Sequence, residues 1–219
     1  MIHASLGASR MASAVTILGA GSWGTALAVH LARIGHEVLL WARDAGLAER
    51  LRTARENAVY LPGVAFPETL VPGASLAEAC ARAEMVVFVC PSAGVRPVAE
   101  AVGPLLQGPA LVVSASKGVE RETHLTMSAI LEEVLGDAHR PRVGVLSGPS
   151  FAREVGQAMP TAVTAASRSL EVAEEVQRLF NGPTFRVYAS SDVVGVEIGG
   201  AVKNVIALAA GVCDGLGFG

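Results

Sequence analysis

Charged side chains are scarce in this sequence and aromatic ones scarcer, at 17% and 5% of its 219 residues. The 17 Lys and Arg stand against 20 Asp and Glu with no run of like charge. That excludes the basic footprint of a nucleic-acid binder and the polybasic stripe of a protein held on anionic lipid, and leaves small molecules as the expected partners. Only three cysteines occur, Cys80, Cys90 and Cys213, far apart and in apolar surroundings. A disulfide framework and a zinc spacing are thereby excluded, and thiols of this kind fit a reducing, cytoplasmic setting. The five histidines form no pair, and neither a metal-ligand cluster nor a G-x-S-x-G elbow appears. The first residues, MIHASLGASR, have no apolar core of the kind a secretory signal needs, so residues 1–13 are expected to be a disordered extension.

What is there is apolar residue and glycine: 51% hydrophobic, with 24 glycines and no repeat or low-complexity tract, a composition that folds around a sizeable core. From Ala14 the pattern runs through a short apolar stretch (AVTILG), a glycine cluster, an amphipathic stretch (GTALAVHLARIG) and a second apolar run (HEVLLWAR), which reads as strand, helix, strand. Buried strands are expected at 85–90, 110–115, 143–147, 161–165 and 185–188, with helices at 76–82, 94–106, 124–135 and 170–180 between them. Strands alternating with helices at this spacing predict a Rossmann-type, doubly wound α/β domain around a mainly parallel sheet, over residues 14–190.

After Tyr188 the texture changes. ASSD offers N-caps, and a single helix is expected from about Asp192 to Cys213, the first helix of an all-α second domain beginning at 191. It is long and apolar enough to raise a membrane span, but Glu197, Lys203, Asn204 and four glycines oppose that reading, and no span is expected. Gly199 and Gly200 would weaken a helix by about 1 kcal/mol each relative to Ala, which suggests that another element packs close to them.

Four features carry chemistry. Gly19-Ala20-Gly21-Ser22-Trp23-Gly24 is a G-x-G-x-x-G after a strand and opening a helix, the setting in which it holds a dinucleotide: the first glycine makes the turn, the second admits the pyrophosphate and the third packs the helix on the strand. Asp44 falls at the spacing of a ribose-binding acid, or it caps the next helix; Arg43 beside it suits a 2′-phosphate, so NADP is expected to be accepted without excluding NAD. Lys117 should sit at the carboxyl end of the sheet, where it can hold a phosphate or polarised carbonyl, the alternative being a solvated surface lysine; the loop Ser147 to Ala152 follows another strand and offers N–H groups to an anion, or is an ordinary strand-to-helix turn. Lys203 is an ammonium in an apolar phrase, GGAVKNVIALAAG, where desolvation would lower its proton affinity and suit it to proton transfer; the alternative is a surface lysine keeping its head wet. A pairing with Glu197, six positions away, is disfavoured because the two face different directions on one helix.

Several separated phrases, VTILGAGSWGTALAVHLARIGHEVLLWARD, SASKGVE, LSGPSFAREV followed by PTAV, and IGGAVKNVIALAAG with DGLGFG, resemble the bacterial NAD(P)-dependent sn-glycerol-3-phosphate dehydrogenases over residues 14–219. The resemblance implies reversible hydride transfer between NAD or NADP and carbon 2 of the substrate, interconverting dihydroxyacetone phosphate and glycerol 3-phosphate for phospholipid synthesis. It implies cofactor contacts at Gly19, Gly21, Ser22, Trp23, Gly24, Arg43, Lys117 and Ala152. Substrate contacts are implied at Lys117, Gly148, Ser150, Lys203 and Asn204, with Lys203 the general acid/base and Lys117 stabilising charge. Members of the family continue past GLGFG into a larger helical domain, so residues 191–219 are expected to be an incomplete start of it, and the chain alone to bind dinucleotide but turn over little substrate. A homodimer through an exposed apolar helix is a further expectation. Competing readings are a β-hydroxyacid dehydrogenase using Lys203 in the same role, a non-catalytic dinucleotide-binding module, and a Schiff-base lysine enzyme.

Overall fold

The structure, a computed structural model, describes residues 12–218; residues 1–11 of the expected N-terminal extension lie outside the described residues. Strand β1 (Ala14–Leu18), helix α1 (Ser22–Arg33) and strand β2 (Glu37–Trp41) form the opening βαβ unit. Then come α2 (Ala45–Ala54), a hairpin of β3 (Glu56–Asn57) and β4 (Leu61–Ala65), β5 (Leu70–Gly73) and α3 (Leu76–Cys80). The chain continues through β6 (Met85–Phe88), α4 (Ser92–Val102), β7 (Leu111–Ser114), α5 (Met127–Leu135) and β8 (Val143–Ser147). It ends with α6 (Ala152–Gly156), β9 (Thr161–Ser167), α7 (Leu170–Phe180), β10 (Phe185–Ser190) and α8 (Val193–Gly215).

Eight strands pair in the order β10-β9-β8-β7-β6-β1-β2-β5, parallel throughout except where β8 meets β9. The expected mainly parallel, Rossmann-type architecture is the one observed. Central strands β6 and β7 are buried at every position, as strands covered on both faces must be. Alternate residues feed opposite cores. Ile17, Val87 and Val113 pack with α1 and α7, while Leu18, Phe88 and Val112 pack with α3, α4 and α5.

From β1 the chain winds outward through β2 and β5, then returns to place β6 on the other side of β1. That reversal opens a crevice beyond the carboxyl ends of β1 and β6, where ligands bind in such sheets. A groove of about 420 Å³ lies instead at the amino ends, lined by Ala14, Glu37, Thr69 and Ala83 among others, away from the crevice.

Several boundaries differ from the sequence expectations. The helix expected from His124 starts at Met127, because His124 has φ +59° and Val119 bridges Thr126 in an antiparallel loop. The helix expected over 94–106 runs from Ser92 to Val102 and tightens into a 3₁₀ turn containing Pro104, which has no N–H to continue the ladder. Helix α8 carries Asp192 as N-cap, accepting from the Gly195 N–H at 2.8 Å. Its outer face is bare, with Val205 67% and Leu208 72% exposed, and the helix is long and apolar enough to cross a membrane.

Candidate active site

The glycine loop meets each requirement of a dinucleotide cradle. Gly19 has φ +128°, and a Cβ there would lie 2.6 Å from the Val89 carbonyl at the end of β6. A Cβ on Gly24 would overlap the Gly19 carbonyl, so α1 can seat on the loop only without one. Gly21 is the opposite case: a Cβ would meet nothing within 4 Å, so the backbone faces open space where a pyrophosphate would approach. Gly21 is also the N-cap of α1 and supplies no side-chain cap, leaving the first-turn N–H groups of Ser22, Trp23 and Gly24 for an anion. Trp23 is half-buried against the core, with a buried Nε1 that has no partner among the described residues.

Asp44 caps α2 by accepting from the Leu47 N–H, which settles one of the two roles open to it. Arg43, exposed two residues past the carboxyl end of β2, immediately precedes that cap.

The second half of the site forms beyond β7 and β8. Lys117 is half-buried and its Nζ donates to the Gly148 carbonyl at 3.2 Å. Burial, and then the nearby Lys203 charge, push the Lys117 ammonium below the usual lysine range. Gly148 is fixed by close approach, since a Cβ would stand 2.9 Å from the Val163 Cα. Lys203 reaches back from α8 to line a cavity of about 280 Å³ with Ser147, Gly148, Pro149 and Thr164, and its Nζ lies 5.6 Å from the centroid of the exposed Phe151 ring. The structure thus brings Lys117, Gly148 and Lys203 together. Ser150 stands in the same loop with a buried Oγ that has no partner among the described residues. Ala152 opens α6 and packs against the α1-side core; α6 spans only five residues. Asn204 is exposed.

Two expectations about α8 change. Of the paired glycines, only Gly200 marks a close approach: a Cβ there would overlap Ser147 Oγ, whereas one on Gly199 would meet nothing within 4 Å. The apolar wall expected around Lys203 faces outward instead, Val202, Val205 and Ile206 all being exposed.

Sequence reasoning weighed Glu197 as a partner of Lys203 and as a charge opposing a membrane span, and the structure gives it different work. Its buried carboxylate accepts from the Ser128 N–H (2.9 Å) and Ser128 Oγ (2.6 Å), capping α5 from another element. Arg96 was not singled out either; it chelates Glu120 with two 2.8 Å bonds and so anchors the loop that carries Lys117. With Thr123 donating to it as well, the Glu120 carboxyl is held down at about 2. Ser147 Oγ, buried beside Gly200 and without a partner among the described residues, was also missed. A buried-strand end facing a glycine of the last helix was its only sequence signal.

The family model for the N-terminus of NAD-dependent glycerol-3-phosphate dehydrogenase matches residues 14–173, and that for the C-terminus matches 192–219. The chain belongs to this family. It is 53% identical over 209 residues to a glycerol-3-phosphate dehydrogenase [NAD(P)+] of Geobacter metallireducens, covering 95% of this chain and 62% of that protein. A Bacillus thuringiensis relative of the same description is 47% identical, over 94% of this chain and 60% of its own length. Among solved structures, the glycerol-3-phosphate dehydrogenase of Coxiella burnetii superposes with a TM-score of 0.85 at 35% identity, over 95% of this chain and 63% of that one. The chain therefore spans about 62% of the length of its Geobacter relative.

Proposed function

We propose that this chain is the cofactor-binding part of an oxidoreductase that interconverts dihydroxyacetone phosphate and sn-glycerol 3-phosphate with NAD or NADP. The observation that carries the reading is that Gly148 and Lys203 line one cavity while Lys117 donates to the Gly148 carbonyl, all beyond the carboxyl ends of β7 and β8, in the same sheet as a glycine loop shaped for a dinucleotide after β1. Residues 14–190 would form the dinucleotide-binding unit, and residues 191–219 the beginning of a helical substrate unit.

The nicotinamide, when bound, supplies or accepts the hydride. Gly19, Gly21 and Gly24 shape the cradle, with Ser22, Trp23 and Gly24 offering N–H groups to the pyrophosphate. Ala152 stands beside it, and Arg43 past the end of β2 favours a 2′-phosphate. In the reducing direction, Lys203 gives a proton from its ammonium to the carbonyl oxygen as carbon 2 gains the hydride, and the resulting amine recovers a proton from water. Lys117 stabilises the oxygen's growing charge or the substrate phosphate, and an anion there offsets the repulsion between the two ammonium groups. Gly148, Ser150 and Asn204 complete the substrate contacts. The unpaired thiols support a cytoplasmic setting, with the product serving phospholipid synthesis. In this reading α8 lies against protein rather than lipid, and two copies assemble as a homodimer.

The test joins this chain to the remaining length of its Geobacter metallireducens relative and follows NAD(P)H oxidation with dihydroxyacetone phosphate and with non-phosphorylated β-keto acids. Turnover of the phosphorylated substrate, reduced about 10²- to 10⁴-fold by Lys203→Ala with NADH affinity unchanged, is the expected result. Preference for the non-phosphorylated acids would move the assignment to the β-hydroxyacid dehydrogenases.

A further inference from the structure

Asn57 lies on β3, 37 residues along the chain from Ala20, and is fully buried. Its side-chain amide donates to the Ala20 carbonyl at 3.0 Å and to Thr25 Oγ1 at 2.8 Å, while its Oδ1 accepts the Tyr60 N–H at 3.2 Å. The orientation is fixed by chemistry, since the Ala20 carbonyl can only accept and the Tyr60 N–H can only donate. One side chain thus ties the glycine loop, the first turns of α1 and the β3–β4 hairpin together.

The bond to Ala20 has a consequence one atom further on. The Ala20–Gly21 peptide is trans and planar, so its C=O and N–H point in opposite directions. Holding the oxygen inward against Asn57 turns the Gly21 N–H outward, toward the side on which a Cβ at Gly21 would meet nothing within 4 Å. No acceptor for that N–H occurs among the described residues. We propose that Asn57 is a positioning residue for cofactor binding: it sets the Ala20–Gly21 peptide so that the Gly21 N–H joins those of Ser22, Trp23 and Gly24 in facing the pyrophosphate. The assignment rests on the reading that the glycine loop takes NAD or NADP.

The test uses the 219-residue chain, with NADH titrations and nitrogen–proton correlation spectra of the wild type, Asn57→Ala and Thr25→Val. Thr25→Val removes the amide's other acceptor and leaves the Ala20 carbonyl held, so it reports loss of packing without loss of peptide orientation. Asn57→Ala is expected to weaken NADH about tenfold or more and to shrink the shift that NADH induces at the Gly21 amide, whereas Thr25→Val lowers the unfolding midpoint but keeps affinity within about twofold. In the wild type the Gly21 amide should exchange freely before ligand and be protected and shifted after it. This holds as a test even if Asn57→Ala does not fold. Equal NADH affinity in Asn57→Ala, the same loss in Thr25→Val, or a Gly21 amide already protected without ligand or unmoved by it would each overturn the assignment. A wild type that binds no NADH overturns the cofactor reading and this assignment with it; a wild type that binds while Asn57→Ala binds equally overturns this assignment alone.

Discussion

Lys117 is a site residue whose proton affinity the fold lowers. Burial and the facing Lys203 disfavour its charged form, so its folded pKa lies below its unfolded one. A lysine of that kind lowers stability while protonated, and stability rises with pH from the lowered folded value up to the unfolded value near 10.5. Lys117→Met is expected to remove this alkaline rise and to leave stability at neutral pH equal or higher, read from urea midpoints across the pH range. A variant that keeps the rise would place its origin elsewhere. The glycines were legible because each does backbone work that only a missing Cβ permits, and their spacing records it. Asn57 and Glu197 were not, because their partners Ala20 and Ser128 stand 37 and 69 residues away and nothing local marks the pairing.

At the scale of elements, α8 packs on the β8–β9 end of the sheet, and among the described residues Glu197 ties it to α5 by side-chain hydrogen bonds. It caps α5 where the side chain of Thr126, the helix's own N-cap, makes no capping bond to the backbone and pairs with Ser128 Oγ instead. Removing it strands the Ser128 donors, so Glu197→Ala should cost about 1–3 kcal/mol and loosen α8, whereas Glu197→Gln, which keeps one acceptor, should lose less. Thermal unfolding of the three proteins checks the order, and equal midpoints would contradict it. Strands β6, β7 and β8 could be read from sequence because buried parallel strands are continuous apolar runs. Helix α2, the hairpin and β5 could not. Pro62 and Pro72 interrupt β4 and β5, which lie at the margins of the fold where proline is tolerated, and α2 buries only Ala48 and Leu51. The setting of Lys203 was misjudged for a related reason. An apolar helix in sequence looks the same whether its greasy face points inward or, as in α8, outward.

At the scale of the whole molecule, one sheet carries the glycine loop after β1 and, beyond β7 and β8, the Lys117–Gly148 contact and Lys203, and the proposed function joins the two. The most direct test is calorimetric titration of the 219-residue chain with NADPH and, separately, with NADH. The account predicts one site for each, with dissociation constants on the order of micromolar to tens of micromolar and NADPH bound at least as tightly as NADH through Arg43. Failure of both dinucleotides to bind below about 1 mM would contradict it.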